Sequence, residues 1–151
     1  MPNPKKARTP CLNCGGEPAS SKYKYCSNRC QLEYQRQNYI REWKKGKING
    51  LNTLGLVTPP IKRYLRDKYG NKCSICGWAK KNVKNGIVPL VADHIDGNWK
   101  NNVEDNLRLI CPNCDGISGT FAALNKGNGR KNRALSKRAT EARILSNRLP
   151  E

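Results

Sequence analysis

The chain has 151 residues, with 29 Lys and Arg against 11 Asp and Glu, for a formal net charge of +18. Only 36% of its residues are apolar, with one Phe and one Met, so burial alone would struggle to stabilise several small lobes. No apolar h-region follows the N-terminus and no apolar run approaches membrane-spanning length, so the expectation is an intracellular, cytoplasmic protein without a membrane partner. A positive excess spread over almost the whole length favours nucleic acid over an acidic protein partner or a plain solubility surface.

The eight cysteines supply the staples that the thin core lacks. All fall into short pairs: Cys11/Cys14, Cys26/Cys30, Cys73/Cys76 and Cys111/Cys114. Thiols two or three residues apart form knuckles for tetrahedral zinc, whereas disulfide frameworks bridge longer loops. The expectation is two structural zinc ions in a small, zinc-stabilised α+β protein.

In chain order, residues 1–10 read as a flexible arm. Residues 1–50 form a first unit, in which Cys11, Cys14, Cys26 and Cys30 hold a zinc ribbon that runs into a long helix. That helix is expected from about Ser27, a plausible N-cap, to Lys45, with Gly46 ending it. Its thin apolar stripe is Leu32, Gln35/Arg36, Tyr39/Ile40 and Trp43, its aromatic residues serving packing, and its cations include Arg36, Arg41, Lys44 and Lys45. Residues 51–60, in a stretch holding three glycines and ending in Pro-Pro, read as a linker.

A core over residues 61–130 follows. A short helix is expected from Ile61 to Tyr69, with Ile61, Tyr64 and Leu65 on one face and Arg63 on the polar side. The Cys73–Cys76 knuckle leads to a basic loop with Lys80 and Lys81, then a strand over residues 87–92 that delivers Asp93 and His94. Asp96-Gly97 is a turn signal, and Asn106 to Ile110 a second strand. Pro112 suits the first turn of a helix carrying Asp115, Ile117, Phe121 and Leu124. Residues 131–151 form a basic tail or helix, and Arg130, Lys131 and Arg133 add to the cations expected on DNA.

The chemistry concentrates around His94, the one histidine of the chain. Residues 93–115 hold five acids, Asp93, Asp96, Glu104, Asp105 and Asp115, against two bases, Lys100 and Arg108. Four thiolates at Cys73, Cys76, Cys111 and Cys114 make a closed zinc site and leave His94 for other work. An imidazole suits a general base near neutral pH, and the carboxylates of Asp93 and Asp115 suit Mg²⁺ or Mn²⁺. Neighbours on a regular strand face opposite sides, so Asp93 and His94 must lie at a strand end or bulge to serve one site.

Asp93-His94, Asn106 twelve residues on, and Asp115 directly after Cys-Pro-Asn-Cys together resemble the HNH endonuclease motif. The flanking cysteine pairs are similar to its zinc-stapled branch, common among phage and mobile-element (homing-type) nucleases. The resemblance covers residues 61–130 and implies a treble-clef-like ββα-metal nuclease core that cuts or nicks double-stranded DNA and takes no small-molecule substrate. It implies that His94 is the general base, Asp93 a ligand of a catalytic Mg²⁺ or Mn²⁺, and position 115 the second ligand. Asn106 would hold the loop and the base in place through backbone hydrogen bonds. Position 115 departs from the family, where His or Asn is usual. The competing expectation is a non-catalytic, zinc-dependent DNA-binding or regulatory protein on the same scaffold.

Overall fold

The computed structural model describes residues 7–128. The first six residues of the expected arm, the basic tail, and Arg130, Lys131 and Arg133 lie outside the described residues. The chain divides into two compact units between Ile48 and Asn49.

In the first unit, a ribbon carrying two cysteine pairs leads into α1 (Asn28–Lys44). The Ser27 side chain accepts a hydrogen bond from Cys30 N at 3.2 Å and so satisfies one of the helix's unpaired N–H groups. Arg41 and Lys44 stand in the last turn, where the helix dipole favours cations. Gly46, at φ 71°, closes the helix through its N–H to Trp43 O. Ile40 and Trp43 are buried, but Leu32 is 65% exposed and does not belong to the expected stripe. The rings of Tyr25 and Tyr34 pack with centroids 5.5 Å apart.

The second unit opens with a closed loop where a linker was expected. Leu51 bridges Val57, and the Asn52 carboxamide oxygen accepts from Leu54 N and Leu56 N, both at 2.9 Å. Thr58 then takes the N-cap position of α2 (Pro59–Lys68), which begins two residues before the expected start. Both prolines fall where a helix needs no N–H donor, and their fixed φ suits the first turn. Ile61 and Leu65 are 0% exposed, and α2 packs against β2.

The sheet has two antiparallel strands, β1 (Val91–His94) and β2 (Leu107–Ile110), in an unbulged register that sets Asp93 opposite Arg108 and His94 opposite Leu107. The first strand therefore starts later than expected. Pro89 has no N–H for a ladder, and Leu90 instead packs against the cluster of Cys73, Ile110, Cys111 and Cys114. After β2 comes α3 (Pro112–Gly116), which contacts β1. It is much shorter than expected. Gly116 and Gly119 disfavour helix, and Ile117, Phe121 and Leu124 are exposed beyond its end. The segment after it returns to the hairpin, where Asn125 donates to Gly97 O at 2.8 Å.

Residues 95–106 join the strands with little apolar cover and are held by side-chain amides, by the Asp96 carboxylate and by Glu104, which takes Tyr64 and, at 2.9 Å, Lys68 of α2. Asp96 accepts from Asn98 N at 2.8 Å, Asn106 Nδ2 at 2.8 Å and Asn101 Nδ2 at 2.7 Å. The Asn106 side chain also accepts from Asp96 N at 3.1 Å and donates to Asn101 O at 2.7 Å. Burial opposes ionisation of Asp96, but donation by Asn101, Asn106 and the Asn98 N–H outweighs it and holds the pKa below the usual carboxylate value.

Two stability outcomes follow. Leu65→Ala costs about 2–5 kcal/mol in chemical denaturation, while Leu32→Ala changes stability by less than about 0.5 kcal/mol. Asn106→Ala costs about 1–3 kcal/mol and removes hydrogen-exchange protection from the Asp96 amide, because its partners lose their bonds together.

Candidate functional site

Each unit carries one four-cysteine cluster. The sulfurs of Cys11, Cys14, Cys26 and Cys30 lie within 4.8 Å of one another, as do those of Cys73, Cys76, Cys111 and Cys114. All eight thiols are free of disulfides. A tetrahedral zinc–thiolate centre with Zn–S near 2.3 Å requires sulfurs about 3.8 Å apart. Cys76 and Cys111 are 3.8 Å apart, Cys14 and Cys26 3.5 Å, and Cys26 and Cys30 3.4 Å.

The two clusters share one construction. Cys11 N donates to Gly16 O while Gly15 N donates to Cys11 O, and Cys73 N donates to Trp78 O while Gly77 N donates to Cys73 O. Gly15 and Gly77 take φ of 74° and 73° at the reversal, a left-handed conformation that favours glycine. The second pair of each cluster stands at a helix start, Cys26/Cys30 at α1 and Cys111/Cys114 at α3.

The electrostatics show crowded negative charge. Burial opposes ionisation of Cys73, but N–H groups of Cys76, Cys111 and Ile75 bring it down to about 6. Cys114 is pushed up to about 12 by the neighbouring sulfur of Cys76, by burial and by Cys111. Cys11 is likewise brought to about 6, its burial outweighed by N–H groups of Cys14, Cys26 and Asn13, while Cys30 and Cys14 push Cys26 up to about 12. A divalent cation would relieve this conflict, and both donor sets could hold zinc.

His94 stands at the last position of β1 and is 8% exposed. Its Nε2 lies 2.8 Å from the side-chain oxygen of Asn102. Asn102 is 4% exposed, and its Nδ2 donates to Trp99 O and Lys100 O, each at 3.1 Å. Asn102 is absent from the sequence-derived set of site residues. It partners a residue eight positions away across an irregular loop, which no periodicity reveals.

Asp93, one residue earlier, is held by Arg108 Nε at 2.7 Å on its Oδ2. This cross-strand pair was also missed, since it depends on the register. The ladder carries no bulge, and His94 is its last paired position on β1. Asp115 sits half-buried on α3, with its N–H on Cys111 O at 2.9 Å. Among the described residues, Asp93, His94 and Asp115 do not form a three-donor cluster of the kind the cysteines form. Asp93 Oδ1 has no protein partner among the described residues, and α3 contacts β1. Carboxylates are the oxygen donors that Mg²⁺ or Mn²⁺ accepts, and that of Asp93 already holds the Arg108 side chain.

The expected DNA-facing cations divide. In the first unit, Arg36 is engaged by Glu33 through two hydrogen bonds, at 2.7 and 3.1 Å. Arg41 and Lys44 are exposed on α1, and Lys45 is exposed at its C-cap. In the second unit, Arg63, Lys80 and Lys81 are exposed. Lys84, not singled out in the sequence, shares the same loop, whose turn is tied by the Asn82 side chain accepting from Lys84 N at 2.9 Å.

No family model matches the chain, and no solved structure matches it. Among curated proteins, it is similar to the H-N-H endonuclease F-TflIV of Escherichia phage T5, with 41% identity over 78 residues. The match covers 45% of this chain and 32% of that relative, so the chain spans about a third of the relative's length. This similarity supports the HNH endonuclease family for the chain.

Proposed function

We propose that the chain is a metal-dependent HNH endonuclease of phage or homing type that hydrolyses phosphodiester bonds of double-stranded DNA. The observation that carries this reading is the setting of His94. The chain's one histidine closes β1, its imidazole is fixed by a buried amide, and a four-cysteine cluster grips the far end of the same hairpin. The similarity to a phage endonuclease adds to it.

In the proposed reaction, His94 takes a proton from water as the water oxygen attacks phosphorus. The bond from phosphorus to the leaving 3′ oxygen breaks, its electron pair passes to that oxygen, and the proton stays on the imidazole. A divalent cation held by Asp93 and Asp115 would supply charge stabilisation at the phosphate and the leaving oxygen. Asn106 holds the loop behind the base. Zinc at the two cysteine clusters fastens the hairpin to α3 and the ribbon to α1. The exposed cations Arg41, Lys44, Lys45, Arg63, Lys80 and Lys81 meet the phosphate backbone, with affinity falling steeply as salt rises.

The regulatory reading has one observation in its favour, the ion pair that occupies Asp93. A plasmid-nicking assay separates the two. With Mg²⁺ or Mn²⁺, the chain nicks supercoiled plasmid, and His94→Ala lowers the rate by about 10²–10⁴-fold while plasmid binding persists. Equal inactivity of both, with binding intact, favours the regulator. Metal analysis of the purified chain gives two zinc ions, and Cys114→Ser gives one together with loss of protection in β2.

A further inference from the structure

The proposed function names His94 as the base but does not say which ring nitrogen acts. We infer that Asn102 is a positioning residue that locks His94 in the Nε2–H tautomer and leaves Nδ1 as the nitrogen that takes the proton from water. The inference deepens the nuclease reading and rests on it for the role of Nδ1.

A carboxamide has one donor end and one acceptor end. Both hydrogens of Asn102 Nδ2 are committed, one toward Trp99 O and one toward Lys100 O. The end that faces His94 is therefore the oxygen, 2.8 Å from Nε2. Two lone pairs at that distance would repel, so Nε2 carries a hydrogen and donates it. In a neutral imidazole only one nitrogen is protonated, and Nδ1 is then the basic one.

Burial strengthens this constraint. Both partners are almost fully withdrawn from solvent, so water does not compete for the bond. Nδ1 has a different environment. His94 makes no other hydrogen bond among the described residues, and the one side-chain nitrogen or oxygen there that is both sealed and unpartnered is Asn13 Oδ1. Among the described residues, no hydrogen bond competes for the Nδ1 lone pair. When it accepts the proton, the imidazolium donates more strongly from Nε2 to Asn102, so the same bond that orients the ring also stabilises the charge it acquires.

The test uses the single histidine. Long-range ¹H–¹⁵N correlation spectra of the full chain, labelled at histidine and recorded at alkaline pH where the ring is neutral, report each ring nitrogen without overlap. The expected spectrum shows a protonated Nε2 and an unprotonated Nδ1. A protonated Nδ1 overturns the inference whatever the activity. In Asn102→Leu, the nitrogen signals move toward the average of two tautomers, and kcat for plasmid nicking falls on the order of tenfold to a hundredfold at unchanged KM. If Asn102→Leu keeps the wild-type nitrogen signals, something else holds the ring and the inference fails. A wild-type chain with the expected spectrum that does not nick plasmid upholds the tautomer and overturns the nuclease reading.

Discussion

The structure depends on holding one imidazole at the end of a hairpin too short to hold itself. A two-stranded sheet four residues long is at best marginal in water. Here it is held from three sides. Helix α2, with Ile61 and Leu65 buried, packs on β2, the cysteine cluster grips the end at Ile110 and Cys111, and the Asp96–Asn106 network closes the end at His94. Apolar burial, sulfur clustering and amide hydrogen bonding each do a part that the other two cannot.

This division explains the composition. A basic chain with few apolar residues cannot bury a long loop, and it replaces apolar cover with asparagine. Asn98, Asn101, Asn102 and Asn106 each bond backbone or a neighbouring side chain within residues 95–106. Amides bond without adding charge, and they present donor and acceptor ends in a fixed sense. The one carboxylate used in the network, Asp96, is satisfied by three donors and stays ionised.

Much of this was legible in the residues, and the failures have physical causes. Ser27 and Gly46 mark α1 because capping is local chemistry written in adjacent positions. The cysteine spacing announced both clusters for the same reason. The strand start was misplaced because β-branched residues before Pro89 read as strand, while the ladder needs an N–H that proline lacks. The helix after Pro112 was drawn too long because the spacing of Ile117, Phe121 and Leu124 mimics a helical face across glycines that end it. Within the site, Asp93 and His94 were visible as types, but Arg108 against Asp93 is a matter of register and Asn102 against His94 a matter of loop path. Asp96 was read as a turn former alone, although its carboxylate ties three asparagines together.

The central claim is that the acidic stretch around His94 serves a metal and a phosphate rather than only the fold. The most direct test is a crystal structure of the full chain with Mn²⁺ and a DNA duplex, with the ion located by its anomalous scattering. The account predicts one Mn²⁺ on the carboxylates of Asp93 and Asp115, sharing a phosphate that lies beside His94. Bound duplex with Asp93 still held by Arg108 alone and no Mn²⁺ near His94 would contradict it.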